Sequence, residues 1–180
     1  MKFTRMIQIG KHPKKLELAR TIPVHKAGSF IDISNYRPIS NLSTINKIFE
    51  VLTRDRILSF INHFEIFSDI QFGFRESLST DHAIFTFVQD ILSSINSKLY
   101  TVALFPDLRK AFELVNVDIL TEKLRILGLR GQVNSFLKSY LSNRSQYVSV
   151  NGFDSFQREV RVGVPQGSVL GPIFLKYIFK

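Results

Sequence analysis

The sequence predicts an α+β fold, in which helices pack against an antiparallel sheet, and three observations support this prediction. Apolar residues recur at helical spacing in four segments of the chain. Residues 101–105 form a short apolar run with β-branched members, which is typical of a strand. The dipeptide Asn151-Gly152 separates two further strand-like runs, and this is the strongest short signal of a β-hairpin.

Length, charge and cysteine content narrow the classes of protein. The chain of 180 residues is long enough for one buried core, or two lobes sharing one, and too short for several independent domains. It is 44% hydrophobic, which favours a folded globule over disorder. The net charge of +9 favours a polyanionic partner such as nucleic acid, although a merely soluble basic surface fits as well. Without cysteine, a disulfide framework, a thiolate zinc site and a thiol nucleophile are excluded.

The N-terminal part predicts a strand and a loop. Its basic residues are not followed by a long apolar segment, so we expect neither a secretory signal nor a membrane span. Residues 18–24 predict a strand at the edge of a sheet, because Pro23 lacks the N–H that a central strand donates. Residues 27–38 predict a loop, in which Arg37 is held extended by the following proline.

Two helices are predicted in the first half of the chain. The first runs from about residue 43 to 62, with an apolar stripe that we assign to the core and that consists of Ile45, Ile48, Phe49, Leu52 and Phe60. The second begins near residue 80, where Thr80 or Asp81 would cap it. Its apolar face consists of Ile84, Phe87, Val88, Ile91 and Ile95.

The second half predicts two helices, then a hairpin. Leu120, Leu124 and Leu127 mark the first helix, which Gly128 can end. Residues 133–141 match the helical template fully. Residues 147–150 and 156–162 would be the strands on either side of Asn151-Gly152.

Asp107 is the first candidate functional residue. It follows the predicted strand 101–105, so the sheet would hold its carboxylate rigidly while its oxygens stay outside the core. Such a carboxylate suits a hard cation that bridges to phosphate oxygens. The alternative is a turn former or a helix cap, which is the commoner role of an aspartate at this position.

Residues 163–172 read Gly-Val-Pro-Gln-Gly-Ser-Val-Leu-Gly-Pro and form the second candidate segment. Gly167 lets backbone approach a planar ligand closely, and the Gln166 amide offers both a donor and an acceptor. The alternative is an ordinary turn that leads into a terminal helix.

Five segments in a fixed order carry a family resemblance. They are residues 35–40 with 47–50, residues 71–75 with Ser79 and Thr80, residues 107–112, residues 140–144 with Gln146 and Val148, and residues 163–172. Together they resemble the reverse transcriptase domain of non-LTR (LINE-type) retrotransposons, in particular the jockey-like elements of animals.

The resemblance implies part of a right-hand polymerase across residues 1–180. Fingers would occupy about residues 18–98 and an incomplete palm about 99–180, with an antiparallel palm sheet, packed helices and no thumb. The implied reaction is RNA-templated DNA synthesis by two-metal nucleotidyl transfer with Mg²⁺, or Mn²⁺ in its place. The implied partners are an RNA template, a DNA primer and deoxynucleoside triphosphates, not a membrane, and the implied location is intracellular, in nucleus or cytoplasm.

The resemblance also implies roles for single residues. Asp107 matches the first catalytic aspartate, and Asp107 and Leu108 would hold the metal. Phe112 matches the aromatic gate under the sugar, although it can also be a core phenylalanine. Within the nucleotide site, Lys110 and Ala111 belong to the first catalytic motif, and Gln166 and Gly167 line the pocket, so that Asp107 and this pair would share one cleft. Lys26, Arg37 and Arg75 would contact triphosphate or template, or else are solvated cations.

Three departures from the family pattern affect the expected activity. Pro106 replaces an aliphatic residue, Glu113 replaces an aspartate, and no acid follows Pro172, where the family's Asp-Asp motif belongs downstream. Because one carboxylate cannot position two divalent ions, we expect this polypeptide alone to be inactive. A non-catalytic nucleic-acid-binding remnant and a product without a retained role are the alternatives.

Overall fold

The computed structural model describes residues 3–66 and 68–178. Within them it contains six α-helices and five strands, which confirms the mixed α/β composition. The helices are α1 (Phe3–Ile9), α2 (Thr44–His63), α3 (Thr80–Asn96), α4 (Val117–Ile126), α5 (Gly131–Leu141) and α6 (Gly171–Ile178). The strands are β1 (Leu18–His25), β2 (Tyr36–Asn41), β3 (Arg144–Val150), β4 (Phe153–Asp154) and β5 (Arg158–Val160).

The chain divides into two compact units. The sheet unit consists of the described residues up to Ile57 and from Lys110 onward, and the α3 unit consists of those between Leu58 and Arg109. The assignment of residues 18–98 to fingers and 99–180 to palm stays a prediction.

The sheet is mixed, whereas the sequence predicted a wholly antiparallel one. β1 pairs antiparallel with β2 and parallel with β3, which in turn pairs antiparallel with β4 and β5. The parallel register joins Leu18 to Ser145. A parallel pair needs a long crossover connection, and here helices α2 to α5 lie between the two strands in the chain.

β1 lies between β2 and β3, so the prediction of an edge strand is wrong. Pairing with β3 covers only the first four residues of β1 and ends at Thr21, before Pro23. Towards β2, the Lys26 amide donates to the Asn35 carbonyl at 2.8 Å. Because bonded pairs alternate in an antiparallel ladder, Pro23 and its partner Pro38 fall on a pair without hydrogen bonds. The missing N–H groups therefore leave the ladder intact, and Arg37 lies within a strand.

The predicted hairpin is confirmed at its turn. Asn151 and Gly152 both have positive φ, at 50° and 84°, and Val150 pairs with Phe153 across them. This is the backbone that a two-residue hairpin turn of type I′ requires. The second predicted strand is divided into the short β4 and β5.

The four predicted helices are confirmed as α2 to α5, but the buried face of α2 differs from the predicted one. Ile45, Ile48 and Leu52 are exposed. The buried positions are a stripe of mostly polar residues at helical spacing, namely Asn46, Glu50, Thr53 and Ile57. The apolar pattern indicated the helix correctly, whereas the partners of Glu50 described below decide which face turns inward.

The core of the sheet unit lies among α1, α4, α5 and α6, which pack pairwise. Its largest fully buried side chains come from α1, α5 and α6 and include Met6, Phe136, Tyr140, Phe174 and Tyr177. α6 begins at Gly171, and Phe179 lies outside the described residues.

The N-cap of α3 lies one residue before the two predicted caps, Thr80 and Asp81. Ser79 is the N-cap: its hydroxyl accepts from the His82 amide at 3.4 Å, and His82 Nδ1 accepts from the Ser79 amide at 3.2 Å. This reciprocal arrangement is a capping box.

No helix of the described residues is both long and apolar enough to cross a membrane.

Residues 101–105 do not form a strand, contrary to the prediction. They have no regular structure, and Val102 and Leu104 are 94% and 89% exposed. A strand needs a hydrogen-bonding neighbour, and no strand of the described chain pairs with this run. Phe105 makes an edge-on ring contact with Phe87 of α3, at 5.5 Å between centroids.

Candidate nucleotide-binding site

The segment 112–115 packs directly against the start of the 163–172 turn. The Gly163 amide donates to the Val115 carbonyl at 2.7 Å, and the Val164 amide donates to the Phe112 carbonyl at 2.8 Å. Gly163 has φ +92°, and a Cβ atom there would lie 2.7 Å from the Glu113 carbonyl oxygen. Only glycine permits this approach, so it joins the segment that contains Phe112 to the one that contains Gln166.

The turn also packs against β2. The Ser40 amide donates to the Gln166 carbonyl at 2.7 Å. Gly167 has φ +99°, and a Cβ atom there would lie 3.2 Å from both Ile39 and the Ser40 carbonyl oxygen. Gly167 therefore lies close to β2, and its predicted close approach to a planar ligand stays a prediction. Residues from four of the five motif segments thus meet in the sheet unit, since Arg144 and Gln146 line the same cavity as Ser40 and Gln166.

A cavity of about 210 Å³, which we name the Gln166 cavity, lies where these segments meet. Its polar lining consists of Ser40, Glu113, Arg144, Ser145, Gln146 and Gln166. The amides of Gln146 and Gln166 offer donors and acceptors, and Arg144 and Glu113 contribute one charge of each sign. The cavity therefore has the chemistry to hold a polar ligand.

An open groove of about 640 Å³, the sheet groove, lies beside this cavity. The two share Pro38 and Glu113 in their walls. Its other wall residues are mostly apolar and come from β1, β2, β3 and the loop between β1 and β2, with Lys110 as the cation; they include Thr21, Tyr36, Val148 and Val150. Cavity and groove are therefore neighbours in the sheet unit.

A buried carboxylate on α2 holds the 163–172 turn in place. Glu50 is only 1% exposed, and its Oε2 accepts from the Val169 amide at 2.7 Å. Its Oε1 accepts from the Tyr140 hydroxyl at 2.6 Å and from Asn46 Nδ2 at 3.2 Å. Burial raises the pKa of Glu50, while the bonds from Tyr140 and Val169 and the charge of Arg144 oppose this rise.

Sequence reasoning missed this role of Glu50. The residue was noted only as the end of the motif segment 47–50. The available signal was its position four residues after Asn46 and three before Thr53, which places three polar side chains on one face of α2. What that face contacts comes from α5 and the 163–172 turn, more than 80 residues away.

Two further buried ionisable groups surround Tyr140. The Arg144 guanidinium lies 5.2 Å from the centroid of the Tyr140 ring, and its Nη1 donates to the Tyr140 carbonyl at 3.3 Å. Burial raises the pKa of the Tyr140 hydroxyl well above its ordinary value. His12 contacts the same ring edge-on, and burial, with the charge of Arg144 adding to it, lowers the pKa of His12 to about 4.

The other predicted nucleotide-binding residues lie at several places. Lys110 is exposed in the wall of the sheet groove, and Ala111 follows it half-buried. Lys26 is exposed just after β1. Arg37 is exposed on β2, on the opposite face from Tyr36 and Pro38 because side chains alternate along a strand. Arg75 belongs to the α3 unit, where its Nη1 donates to the Ser68 carbonyl at 2.8 Å.

Asp107 and Leu108 are exposed and belong to the α3 unit. Since residues 101–105 form no strand, Asp107 does not stand at the end of one. Among the described residues, no group of three or more His, Cys, Asp or Glu side chains could hold a metal ion. Mg²⁺ binds through one or two carboxylates and completes its octahedron with water and substrate phosphates, so one carboxylate and the Leu108 carbonyl do not supply the protein ligands of two ions. That Asp107 and the Gln166-Gly167 pair share a cleft stays a prediction.

Comparison with known proteins bears on these motifs directly. Residues 24–180 match the family model described as reverse transcriptase (RNA-dependent DNA polymerase). The chain is 36% identical over 172 residues to a probable RNA-directed DNA polymerase from transposon BS of Drosophila melanogaster, covering 95% of this chain and 19% of that protein. It is 35% identical over 171 residues to the RNA-directed DNA polymerase from mobile element jockey of the same species, covering 94% of this chain and 19% of that protein.

A probable RNA-directed DNA polymerase from transposon X-element of Drosophila melanogaster is also similar, with 36% identity over 172 residues. The chain spans about a fifth of the length of these curated relatives. The similarity to the jockey polymerase confirms the resemblance inferred from the ordered motifs. On this evidence, the chain belongs to the reverse transcriptase (RNA-dependent DNA polymerase) family.

Proposed function

We propose that this chain forms the nucleotide- and template-binding part of an RNA-directed DNA polymerase encoded by a mobile element. The observation that carries the proposal is the meeting of motif segments at the Gln166 cavity: β2, Arg144 with Gln146, and the 163–172 turn line it, and the Val164 amide of that turn donates to the Phe112 carbonyl. The names of the relatives, each an RNA-directed DNA polymerase from a transposon or mobile element, support the same reaction.

In this proposal, the sheet unit selects the incoming deoxynucleotide. The Gln166 amide hydrogen-bonds the nucleotide within the cavity. Phe112 excludes a 2′-hydroxyl by its bulk, and it also packs structurally, because its ring edge lies 3.3 Å from where a Cβ atom on Gly171 would stand. Lys110 would meet phosphate from the groove side, and Lys26, Arg37 and Arg75 would contact the triphosphate or the template backbone.

The proposed chemistry is two-metal nucleotidyl transfer from a deoxynucleoside triphosphate to a DNA primer on an RNA template. Mg²⁺ or Mn²⁺ would activate the primer hydroxyl and would neutralise the charge on the leaving pyrophosphate. Asp107 and Leu108 would contribute ligands, but they do not complete such a site. We therefore propose that this polypeptide by itself does not catalyse the reaction.

Primer extension tests the catalytic part of this proposal. A DNA primer annealed to an RNA template is incubated with the chain, all four deoxynucleotides and Mg²⁺ or Mn²⁺, and we expect no incorporation. Incorporation that disappears in Asp107→Ala would contradict the proposed inactivity and support the role of Asp107. Incorporation that survives in Asp107→Ala would contradict both the proposed inactivity and the role of Asp107.

Calorimetric titration with a deoxynucleoside triphosphate tests the binding part. We expect Gln166→Ala to weaken binding about tenfold, because a lost hydrogen bond to a bound ligand typically costs this much. Gln157→Ala is the matched control, since Gln157 is exposed and outside the cavity. Equal affinity of the Gln166→Ala variant and the unmodified chain would contradict the assigned cavity.

A non-catalytic nucleic-acid-binding remnant is the second candidate. The incomplete set of metal ligands favours it, as do the exposed cations Lys26 and Arg37. It requires RNA binding by electrostatic contacts without nucleotide selection in the Gln166 cavity. The nucleotide titration separates the two candidates. If the chain is such a remnant, it binds RNA, but Gln166→Ala does not weaken its affinity for the deoxynucleoside triphosphate.

A further inference from the structure

The loop between β1 and β2, residues 26–35, places large apolar side chains in solvent. Phe30 is 73% exposed, and Ile31 and Ile33 are exposed further still. Apolar side chains that are exposed together on one loop, unlike single ones, mark interaction sites, and loops carry many binding residues. The roles proposed above leave Phe30 unassigned.

Three rings form an ordered cluster at the base of this loop. The Phe30 ring stacks on His25, with 4.1 Å between centroids and 23° between planes. Tyr36, which pairs with His25 across the strands, contacts the same imidazole edge-on at 5.2 Å. Because His25 covers one face of Phe30 and the side chain is largely exposed, the outer face of the Phe30 ring is open. It presents a flat aromatic platform.

Hydrogen bonds inside the loop hold the platform in place. The Tyr36 hydroxyl donates to the Phe30 carbonyl at 2.9 Å, and Asn35 Nδ2 donates to the Ser29 carbonyl at 2.9 Å. Asp32 Oδ1 accepts from the Ser34 amide at 2.8 Å. A loop ordered before binding loses little conformational entropy when a ligand stacks on it.

The charge around the platform selects the class of partner. Between residues 18 and 48 the cations are Arg20, Lys26, Arg37 and Lys47, and Asp32 is the single acid. An aromatic surface in a basic environment fits a polymer with flat bases and a charged backbone better than an apolar membrane or an acid-poor protein surface. A single strand is required, because paired bases in a duplex have no free face for stacking.

The platform is continuous with the site already described. Tyr36 contributes to the ring cluster and also lines the sheet groove, together with Ile33 and Ser34 from the same loop. The groove adjoins the Gln166 cavity, and the two share the wall residues Pro38 and Glu113. A strand that crosses the sheet can therefore reach from the platform to the cavity.

We propose that the outer face of Phe30 stacks against a base of single-stranded RNA, with Lys26 as a phosphate contact beside it. The inference rests on the proposed function, because the bound strand would be the template. His25 supports the Phe30 ring from behind, and Tyr36 fixes both the loop and the imidazole. Phe30 is thus a binding residue for the template RNA outside the Gln166 cavity.

Fluorescence anisotropy with a labelled single-stranded RNA of about 12 nucleotides tests this inference. We expect Phe30→Ala to weaken binding about tenfold, which is the usual effect of removing one stacking ring. Phe30→Leu keeps apolar volume without an aromatic face, so we expect a similar loss. Phe153→Ala is the matched control: its ring is 81% exposed on β4 of the same sheet and lies outside the cluster, and we expect unchanged affinity.

Each contrary outcome has a distinct meaning. Wild-type affinity in Phe30→Ala or Phe30→Leu overturns the stacking site and leaves the proposed function standing. An equal loss of affinity for a blunt-ended duplex also overturns stacking. Absence of RNA binding by the unmodified chain overturns both the inference and the template-binding part of the proposed function. Loss of self-association in Phe30→Ala with RNA affinity unchanged would assign the ring to a contact between copies of the chain and overturn the RNA site.

Discussion

At the scale of single residues, the hairpin turn was the most predictable feature. The Asn151-Gly152 pair was predicted from sequence because a positive φ suits few other residues, and both residues have it, whereas Gly167, predicted to approach a planar ligand, lies close to β2. Glu50 was not predictable in the same way. Its environment depends on donors from Tyr140 and Val169, which only the folded chain brings to it.

His12 gives a pH-dependent prediction at this scale. Its pKa in the folded chain is about 4, below the ordinary value of 6.5, so the unfolded chain binds more protons between these two values. Folding stability contributed by a neutral His12 is therefore complete above about pH 6.5 and is lost as the pH falls towards 4. The loss approaches about 3 kcal/mol once the pH falls below the pKa of His12 in the folded chain.

Urea unfolding at about pH 7 and about pH 4.5 measures this effect. We expect His12→Gln to reduce the loss of stability between the two pH values, since the substituted side chain does not titrate. His63→Gln removes an exposed imidazole and serves as the control. The same pH dependence in His12→Gln as in the unmodified chain would show that other groups cause it.

At the scale of elements, periodicity predicted helices more reliably than it predicted their surroundings. α2 to α5 lie where the apolar spacing placed them, because spacing reports local geometry. The strand at residues 101–105 was wrong for a related reason: β propensity describes a residue's fit to a sheet but does not supply a neighbouring strand. The parallel pair of β1 and β3 was missed because it joins residues more than 120 positions apart.

For α2, the structure predicts that the polar face contributes more to stability than the apolar stripe assigned to the core from sequence. Glu50→Ala leaves the Tyr140 hydroxyl and the Val169 amide without their acceptor inside the protein, so we expect the free energy of unfolding to fall by about 3 kcal/mol. Ile48→Ala on the exposed face should change it by about 0.5 kcal/mol or less. Chemical denaturation of both variants makes the comparison.

Glu50→Gln provides the matched variant for this pair. The amide keeps an acceptor for either Tyr140 or Val169 and removes the buried charge, so we expect a smaller loss than in Glu50→Ala. If Ile48→Ala proved more destabilising than Glu50→Ala, the inward orientation of the polar stripe on α2 would be wrong.

At the scale of the whole molecule, charge and motif order allowed the family to be identified, but they did not predict the site geometry. The ordered motifs identified the reverse transcriptase family, and the basic composition agrees with a nucleic-acid partner. The sequence did not indicate that β2 forms one wall of the Gln166 cavity. That contact depends on the sheet unit joining segments from the beginning and the end of the chain.

The net charge of +9 leads to the prediction that belongs to this scale. If RNA binds through phosphate contacts, cations released from the RNA make the affinity fall steeply with salt, by about a hundredfold between about 50 and 200 mM for a modest number of contacts. Lys26→Gln and Arg37→Gln should each lower the salt slope by about one, because each removes one candidate phosphate contact. Lys138→Gln is the control, since the Lys138 ammonium already pairs with Asp118 at 2.7 Å. An RNA affinity that does not change with salt would show that the basic composition only keeps the surface soluble. An equal effect of Lys138→Gln on the salt slope would show that the slope follows total charge and not the positions of Lys26 and Arg37.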